Sequence, residues 1–172
     1  MLVDGLREYS ESDPGISVQL LEDKASVAFW RKAAADRFSD VTPLSCVATD
    51  ELLEEYASRI EPRSDGTRVY RADAAVGSVR TLSILPGSEF DQAVVRVVWD
   101  GVKAQAKPDG SRKLEDRRSR RNTLFVFGRK AGKETRIQDT FTTAHCQTCG
   151  AHDAGGTEPA CPYLSLIHIS EP

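Results

Sequence analysis

The apolar residues of this chain change their spacing near residue 67, and that change limits the folds that the sequence can adopt. Before it, apolar residues recur every three to four positions, which is the helical period. After it, valine-rich segments alternate with polar residues or run continuously apolar, which favours β-strands. Helices followed by successive strands predict an α+β domain, with helices packed on one face of a curved antiparallel sheet.

Two helices are predicted between residues 17 and 62. The second begins after Thr49, whose hydroxyl is a suitable N-cap, and Pro62 ends it. The first has about twenty residues, judged by its helical period. Four of its apolar residues are expected to face the core: Val27, Trp30, Ala34 and Phe38.

Three strands are predicted within residues 67–145, at 78–85, 91–106 and 122–130. In the second strand, alternate residues share a face that is expected to be buried: Ala93, Val95, Val97 and Trp99. Glycine- and proline-containing segments at 85–90, 107–113 and 129–134 predict turns, the second of them inside a longer loop. Residues 1–16 are polar and interrupted by Pro14 and Gly15, which predicts a flexible lead-in.

Composition limits the classes of function. The net charge is −3 with 28% charged residues, so chain-wide attraction to nucleic acid is not indicated. No run of about 18 apolar residues occurs, so no segment of this sequence is predicted to span a membrane. The amino terminus lacks the basic start and apolar stretch of a signal peptide.

Three of the four cysteines lie close together near the carboxyl terminus. Two intervening residues allow Cys146 and Cys149 to reach one ion, and Cys161 follows in the sequence "CPY". A structural zinc site needs four ligands, and the same spacing would put the fourth at residue 164, where the sequence has leucine. We predict a partial zinc ribbon at 146–163 with Cys146, Cys149 and Cys161 as ligands. Such clustering also favours a reducing, cytoplasmic compartment.

Other interpretations of the cysteines stay open. Cys146 and Cys149 could form a redox dithiol or an incidental disulfide, although a thioredoxin-like pair opens a helix and "GAHDAGG" is a poor helix. His145 and His152 are predicted to be exposed neighbours, with a role as fourth zinc ligand as the alternative. Cys46 is predicted to be a small buried residue between the helices rather than a nucleophile.

The last nine residues, "LSLIHISEP" from Leu164 to Pro172, resemble the in-frame translation of a common sequencing adapter. A native strand is the alternative, because the segment alternates acceptably. We interpret 164–172 as an adapter-derived artefact. The natural protein is then expected to carry cysteine at 164 and to continue beyond it, and His168 is not counted as a ligand.

Two segments resemble bacterial proteins of the Tim-forty-four-like family. They are the helix pair "FWRKAAADRFSDVTPLSCVATDELLEEY" and the strand with its ribbon, "TLFVFGRKAGKETRIQDTFTTAHCQTCGAHDAGGTEPACPY". The resemblance implies that residues 17–145 form a cone-shaped fold of the nuclear-transport-factor type, with helices around a strongly bent sheet. This sequence departs from the family pattern at two places. Gln147 stands where the family usually has proline, and the adapter-like segment stands where the strand after the ribbon is expected.

The segment "KPDGSRKLEDRRSRRN" at 107–122 concentrates positive charge, with seven basic and three acidic residues. Such a segment is suited to anionic headgroups or phosphates, while a solvated hairpin loop is the alternative. Aromatic residues that would stack on single-stranded bases are missing, which disfavours nucleic acid. The predicted anionic-surface residues are Lys107, Arg112, Lys113, Arg117, Arg118, Arg120 and Arg121.

From these features we predict a non-enzymatic binding or scaffolding domain, stiffened by structural zinc and close to a membrane, as the resemblance implies. Its expected partner is a protein or an anionic membrane surface, and an anchor upstream of Met1 is compatible with that setting. One alternative is a cone-shaped enzyme, or a binder of a small apolar ligand lined by Trp30, Phe38 and Trp99. The enzyme is disfavoured because such cavities usually pair an acid with a histidine and all three histidines are carboxyl-terminal. A nucleic-acid-binding zinc protein is the second alternative.

Overall fold

The computed structural model describes residues 3–135 and the backbone of residues 166–170. The described helices are α1 (Leu6–Ser12), α2 (Val18–Phe38) and α3 (Asp50–Ile60), with a short 3-10 helix (Thr42–Leu44) between α2 and α3. The described strands are β1 (Arg68–Leu85), β2 (Phe90–Ala106), β3 (Arg112–Lys130) and β4 (Leu166–Ser170). The predicted α+β class is confirmed.

The four strands form one antiparallel sheet in the order β1-β2-β3-β4. The strands are longer than the sequence patterns predict, because β1 begins at Arg68 and β3 at Arg112. The register between β1 and β2 shifts three times, between Ala72 and Ala75, Val76 and Ser78, and Thr81 and Ser83. Irregularities of this kind bend a strand and increase its twist, which allows long strands to curve over the helices.

The core lies between α2 and the inner face of the sheet. The predicted inner face of β2 is confirmed, because Ala93, Val95, Val97 and Trp99 are all buried. From α2, the ring of Phe29 packs on Trp99 with 5.1 Å between centroids. Other side chains that are almost completely buried in this core are Leu44, Val47, Ile84 and Phe125.

The predicted core face of α2 is wrong. Trp30 and Phe38 are 49% and 58% exposed. The helix instead buries a face of mostly small side chains: Ala25, Ala28, Phe29, Lys32 and Ala35. Small residues allow the helix backbone to approach the sheet closely, and this close packing outweighs the burial of the two larger rings.

The two long helices begin at side-chain caps. Ser17 Oγ accepts a hydrogen bond from the Leu20 amide at 3.3 Å, and Thr49 Oγ1 accepts one from Leu52 at 3.2 Å. These caps satisfy amide groups that the first turn leaves unpaired. The predicted start of the second helix after Thr49 is confirmed.

The amino-terminal segment is not the flexible lead-in that its polarity predicts. Residues 6–12 form α1, and Tyr9 on this helix is buried. Just before it, the Asp4 amide donates to Leu82 O at 3.2 Å and the Ile84 amide donates to Asp4 O at 2.8 Å. These contacts join residues about eighty positions apart in the chain, so no local sequence pattern reveals them.

The outer edge of β3 is paired along Leu124–Gly128. Its partner is β4, in the register Leu124 to Ser170 and Gly128 to Leu166. These residues belong to the adapter-like segment, for which a native strand is the alternative interpretation, and the structure has a strand at Leu166–Ser170. Whatever the origin of these residues, their backbone covers this part of the β3 edge.

We expect Phe29→Ala to lower the free energy of unfolding by about 3–5 kcal/mol, because it leaves a cavity against Trp99 in the core. Urea denaturation of the full chain measures the change. Phe38→Ala is the matched control, and we expect it to change the stability by less than about 0.5 kcal/mol because that ring is exposed. Equal losses in the two variants would contradict this assignment of the core.

Candidate functional site

The predicted zinc ligands lie outside the described residues. Cys146, Cys149 and Cys161, and the neighbouring His145 and His152, all fall in the range 136–165. Within the residues that are described, no group of three or more histidine, cysteine or acidic side chains is placed to hold a metal ion. The zinc ribbon therefore stays a prediction from spacing.

The predicted basic segment forms a two-stranded ribbon rather than a long loop. We use "basic ribbon" for the end of β2 from Gly101 to Ala106, the turn at 107–111 and the start of β3 from Arg112 to Arg121. The turn is closed by a hydrogen bond from the Lys107 amide to Ser111 O at 2.9 Å. The sequence predicted the turn but not the strand after it, because charged residues are poor strand indicators.

One cation of the basic ribbon is held by the fold. Arg118 donates from Nε to Asp100 Oδ1 at 2.7 Å and from a terminal nitrogen to Asp73 O at 2.6 Å. These bonds tie β3 to β2 and β1, so Arg118 has a structural role. Among the residues that the structure describes, the other six predicted surface cations form no ion pair with a carboxylate: Lys107, Arg112, Lys113, Arg117, Arg120 and Arg121.

A cleft with a volume of about 290 Å³ lies between the helices and the sheet. We call it the helix–sheet cleft. Its charged residues are Lys32 and Asp36 of α2, Arg59 of α3, Arg71 of β1, Lys103 of β2 and Arg121 of β3. Its remaining lining residues are Tyr56, Ile60, Val69, Tyr70 and Trp99. Five cations thus face one acid.

A buried charge trio connects α2 to α3 in this cleft. Lys32 Nζ lies 2.9 Å from Asp36 Oδ2, and the Tyr56 hydroxyl donates to Asp36 Oδ1 at 2.5 Å. Lys32 is 4% exposed and Tyr56 is 3% exposed. Burial raises the pKa of Tyr56 well above its ordinary value, so the phenol stays protonated. Both oxygens of Asp36 therefore have a donor within the protein.

Three guanidinium groups line the same cleft as this trio: Arg59, Arg71 and Arg121. Arg59 lies over the Tyr56 ring at 5.6 Å from its centroid, and Arg71 donates to Ser119 Oγ at 2.9 Å. Alternation along β3 places Arg121 on the same face as buried Thr123, whose hydroxyl accepts from the Trp99 indole at 2.9 Å. In the described part of the chain, none of the three guanidinium groups pairs with a carboxylate.

The helix–sheet cleft is not predictable from the sequence, because its residues come from five separate elements. Only one local signal pointed to it: Lys32 falls at helical spacing from Ala25, Ala28 and Phe29, on the face that is buried. A lysine in such a position needs a partner within the fold.

A second polar cluster fastens α1 to the opposite end of the sheet. Tyr9 donates to Asp91 Oδ2 at 2.6 Å, and Arg129 donates both to the Tyr9 hydroxyl and to Asp13 Oδ2, the latter at 2.8 Å. Thr135 donates from its amide and hydroxyl to Asp13 at 2.9 and 2.7 Å. Burial, together with the bond to Asp91, raises the pKa of Tyr9 to about 12. We call these residues the polar clasp.

In the polar clasp, burial alone would raise the pKa of Asp13, but hydrogen bonds from Thr135 and Arg129 outweigh it. The net pKa of Asp13 therefore lies below its ordinary value. Because the folded state holds this carboxylate deprotonated, its stabilisation is complete above the unfolded pKa of about 3.9 and is lost as the pH falls through the lower folded value.

We expect Asp13→Asn to destabilise the full chain by about 2 kcal/mol at pH 7, because it removes the buried carboxylate that accepts from Arg129 and Thr135 and leaves Arg129 with only the more distant Asp91. The difference from the unchanged protein should shrink as the pH falls below about 4. Urea denaturation across the pH range measures it. Glu11→Gln, an exposed change on the same helix, is the control; a difference that stays constant with pH would contradict the role of Asp13.

Cys46 is half-buried, close to the predicted position between the helices. The Arg31 guanidinium lies 2.8 Å from Cys46 Sγ and also donates to Pro43 O at 3.0 Å. Arg31 thus ties α2 to the 3-10 helix and to the segment that follows it. This contact favours a structural role for Cys46.

Comparison with known proteins gives no relative. A scan against protein-family models found no match, and searches of curated proteins and of solved structures found no significant match. In the described parts of the chain, no helix is long and apolar enough to cross a membrane. The basic ribbon and the helix–sheet cleft are therefore the features that indicate a function.

Proposed function

We propose that this chain is a non-enzymatic binding domain that uses its basic ribbon to engage an anionic membrane surface. The observation that carries this proposal is the set of five ribbon cations that lie outside the cleft and have no carboxylate partner among the described residues: Lys107, Arg112, Lys113, Arg117 and Arg120. Four of them lie within the first ten residues of β3, which are almost all exposed. A Lys or Arg near an anionic bilayer contributes about 1 kcal/mol to binding.

The ribbon also carries an apolar residue next to its cations. Leu114 is exposed and follows Arg112 and Lys113 directly in β3. Cations beside an exposed apolar side chain suit the headgroup region of a bilayer, where charge and apolar surface are both accommodated. An acidic protein surface remains the alternative partner and is distinguished by the vesicle experiment below.

Further parts of the proposal come from the sequence alone. They are the Tim-forty-four-like identity, the cone-shaped form of the α+β fold and a zinc ribbon that stiffens the domain. The bent, helix-covered sheet is compatible with a cone. The spacing of Cys146, Cys149 and Cys161 supports the ribbon.

A non-enzymatic role is favoured by the state of the buried charge trio. Lys32, Asp36 and Tyr56 are titratable groups within hydrogen-bond distance of one another, which is a geometry that acid–base catalysis requires. Both Asp36 oxygens accept bonds from within the protein, and the bond from Tyr56 joins α2 to α3. The trio accordingly acts as a structural link between α2 and α3.

We expect the full chain to bind vesicles containing phosphatidylserine but not purely zwitterionic vesicles. Replacing Arg112, Lys113, Arg117 and Arg120 with serine should weaken that binding by more than about 100-fold, since each cation contributes about 1 kcal/mol. Sedimentation with vesicles at increasing salt measures the affinity.

The matched control for the vesicle experiment removes four exposed cations away from the ribbon: Arg7, Arg80, Lys130 and Lys133. It changes the net charge equally and should change vesicle binding by less than about tenfold, because charges farther than a Debye length contribute little. If the unchanged chain does not bind anionic vesicles at low salt, the membrane proposal is wrong and an acidic protein becomes the better partner.

We expect Leu164→Cys to create a chain that is purified with one bound zinc ion, because it supplies the fourth thiolate. Elemental analysis measures the metal content. Adding Cys161→Ser in the same chain should remove most of the zinc, while Cys46→Ser should not. A Leu164→Cys chain without bound metal would refute the zinc ribbon.

A further inference from the structure

The helix–sheet cleft has a charge that its own residues do not balance. It is lined by five cations and one acid, and that acid, Asp36, is paired with Lys32 and accepts a hydrogen bond from Tyr56. Lys103 is paired with Glu115 at 2.9 Å. Within the described residues, three guanidinium groups then remain around one concave space without a counter-ion: Arg59, Arg71 and Arg121.

Two of the three guanidinium groups are already oriented by contacts within the protein. Arg59 lies over the Tyr56 ring, which is itself fixed by its bond to Asp36. Arg71 is oriented by its hydrogen bond to Ser119. Guanidinium groups oriented in this way lose less freedom when they bind carboxylates or phosphates, often through two parallel hydrogen bonds.

The remaining wall of the cleft is apolar and rigid. Trp99 is anchored in the core by Phe29 and by its bond to Thr123, while Ile60 and Val69 add aliphatic surface. A volume of about 290 Å³ is at the lower limit of the range for sites of small organic molecules. An apolar wall below a cationic rim suits a ligand with an apolar body and a charged end.

We propose that the helix–sheet cleft binds a small organic dianion, either a phosphate monoester or a dicarboxylate, through Arg59, Arg71 and Arg121. Two negative charges offset most of the charge of three guanidinium groups. Of the three aromatic residues that the sequence alternative gave to an apolar-ligand cavity, Trp99 lines this cleft, whereas Trp30 and Phe38 do not. This inference does not depend on what the basic ribbon binds.

The fluorescence of Trp99 provides a direct readout. The chain has two tryptophans, and Trp30 is exposed on the outer side of α2. In a full-length chain carrying Trp30→Phe, Trp99 is the only tryptophan, and it lines the cleft. Titrations with phenyl phosphate and with phthalate represent the two classes of dianion, and phenol is the uncharged match for the first.

We expect a saturable change of Trp99 emission with phenyl phosphate or phthalate at physiological ionic strength, and none with phenol. Arg59→Gln and Arg121→Gln should each weaken dianion binding about tenfold, because each removes a charge-assisted hydrogen bond. Both positions are exposed, so the variants are expected to fold, which circular dichroism verifies. Whichever dianion binds more tightly identifies the ligand class.

Two neighbouring arginines supply matched controls. Arg63→Gln lies just beyond α3, and Arg120→Gln lies on the opposite face of β3 from Arg121. Each should leave dianion binding within about twofold, since neither lines the cleft. Absence of saturable binding by both dianions, equal binding of phenol, or equal losses in test and control variants would overturn the proposal.

The variants described above also test whether the cleft and the ribbon act independently. Arg59→Gln should lose dianion binding and keep vesicle binding. The chain with four ribbon serines should show the reverse, because none of its four changed residues lines the cleft. If the chain does not bind membranes, the proposal for the cleft is unaffected. If the variant with four ribbon serines loses dianion binding, the assignment of that binding to the cleft is wrong.

Discussion

The close contact between α2 and β2 is the interaction from which the other features of this domain follow. Ala25, Ala28 and Ala35 bring the helix near the sheet, and Phe29 fills the space against Trp99. The same helical face carries Lys32 into a buried position. Because an unpaired buried ammonium is costly, Asp36 one turn later and Tyr56 from α3 become necessary partners. The packing of α2 on the sheet thus determines where Lys32, Asp36 and Tyr56 lie in the cleft.

Local signals in the sequence predicted local structure well. The period change near residue 67, the Thr49 cap and the turns at 85–90 and 107–113 all depend on residues close together in the chain, and the structure agrees with them. The prediction for the buried face of α2 is wrong because the helix packs on the sheet through small alanine side chains rather than through its largest rings. The polar clasp and the helix–sheet cleft could not be predicted, since each joins residues from distant elements whose register no single segment reveals.

The cations near the turn at 107–111 show why charge in a sequence is only a partial guide to a site. In the sequence, seven basic residues form one patch. In the folded sheet, strand pairing places them in different surroundings. Arg118 is bound to Asp100 across β2 and β3, Arg121 lines the cleft, and the others are exposed along the ribbon. The division depends on the register of β2 against β3, including the irregularity between Val102 and Ala104. Register is set by pairing over the whole strand and not by the charged segment itself.

The sheet order leaves β1 as a terminal strand of 18 residues. A flat strand of that length would offer a long template for the strands of other molecules. Three register shifts and the left-handed conformation of Asp73, with φ of 52°, interrupt that template. Glu22 of α2 accepts a hydrogen bond from the Thr81 amide, and the Asp4 backbone occupies the neighbouring positions. The register irregularities of β1 therefore also make this terminal strand a poor template for the strands of other molecules.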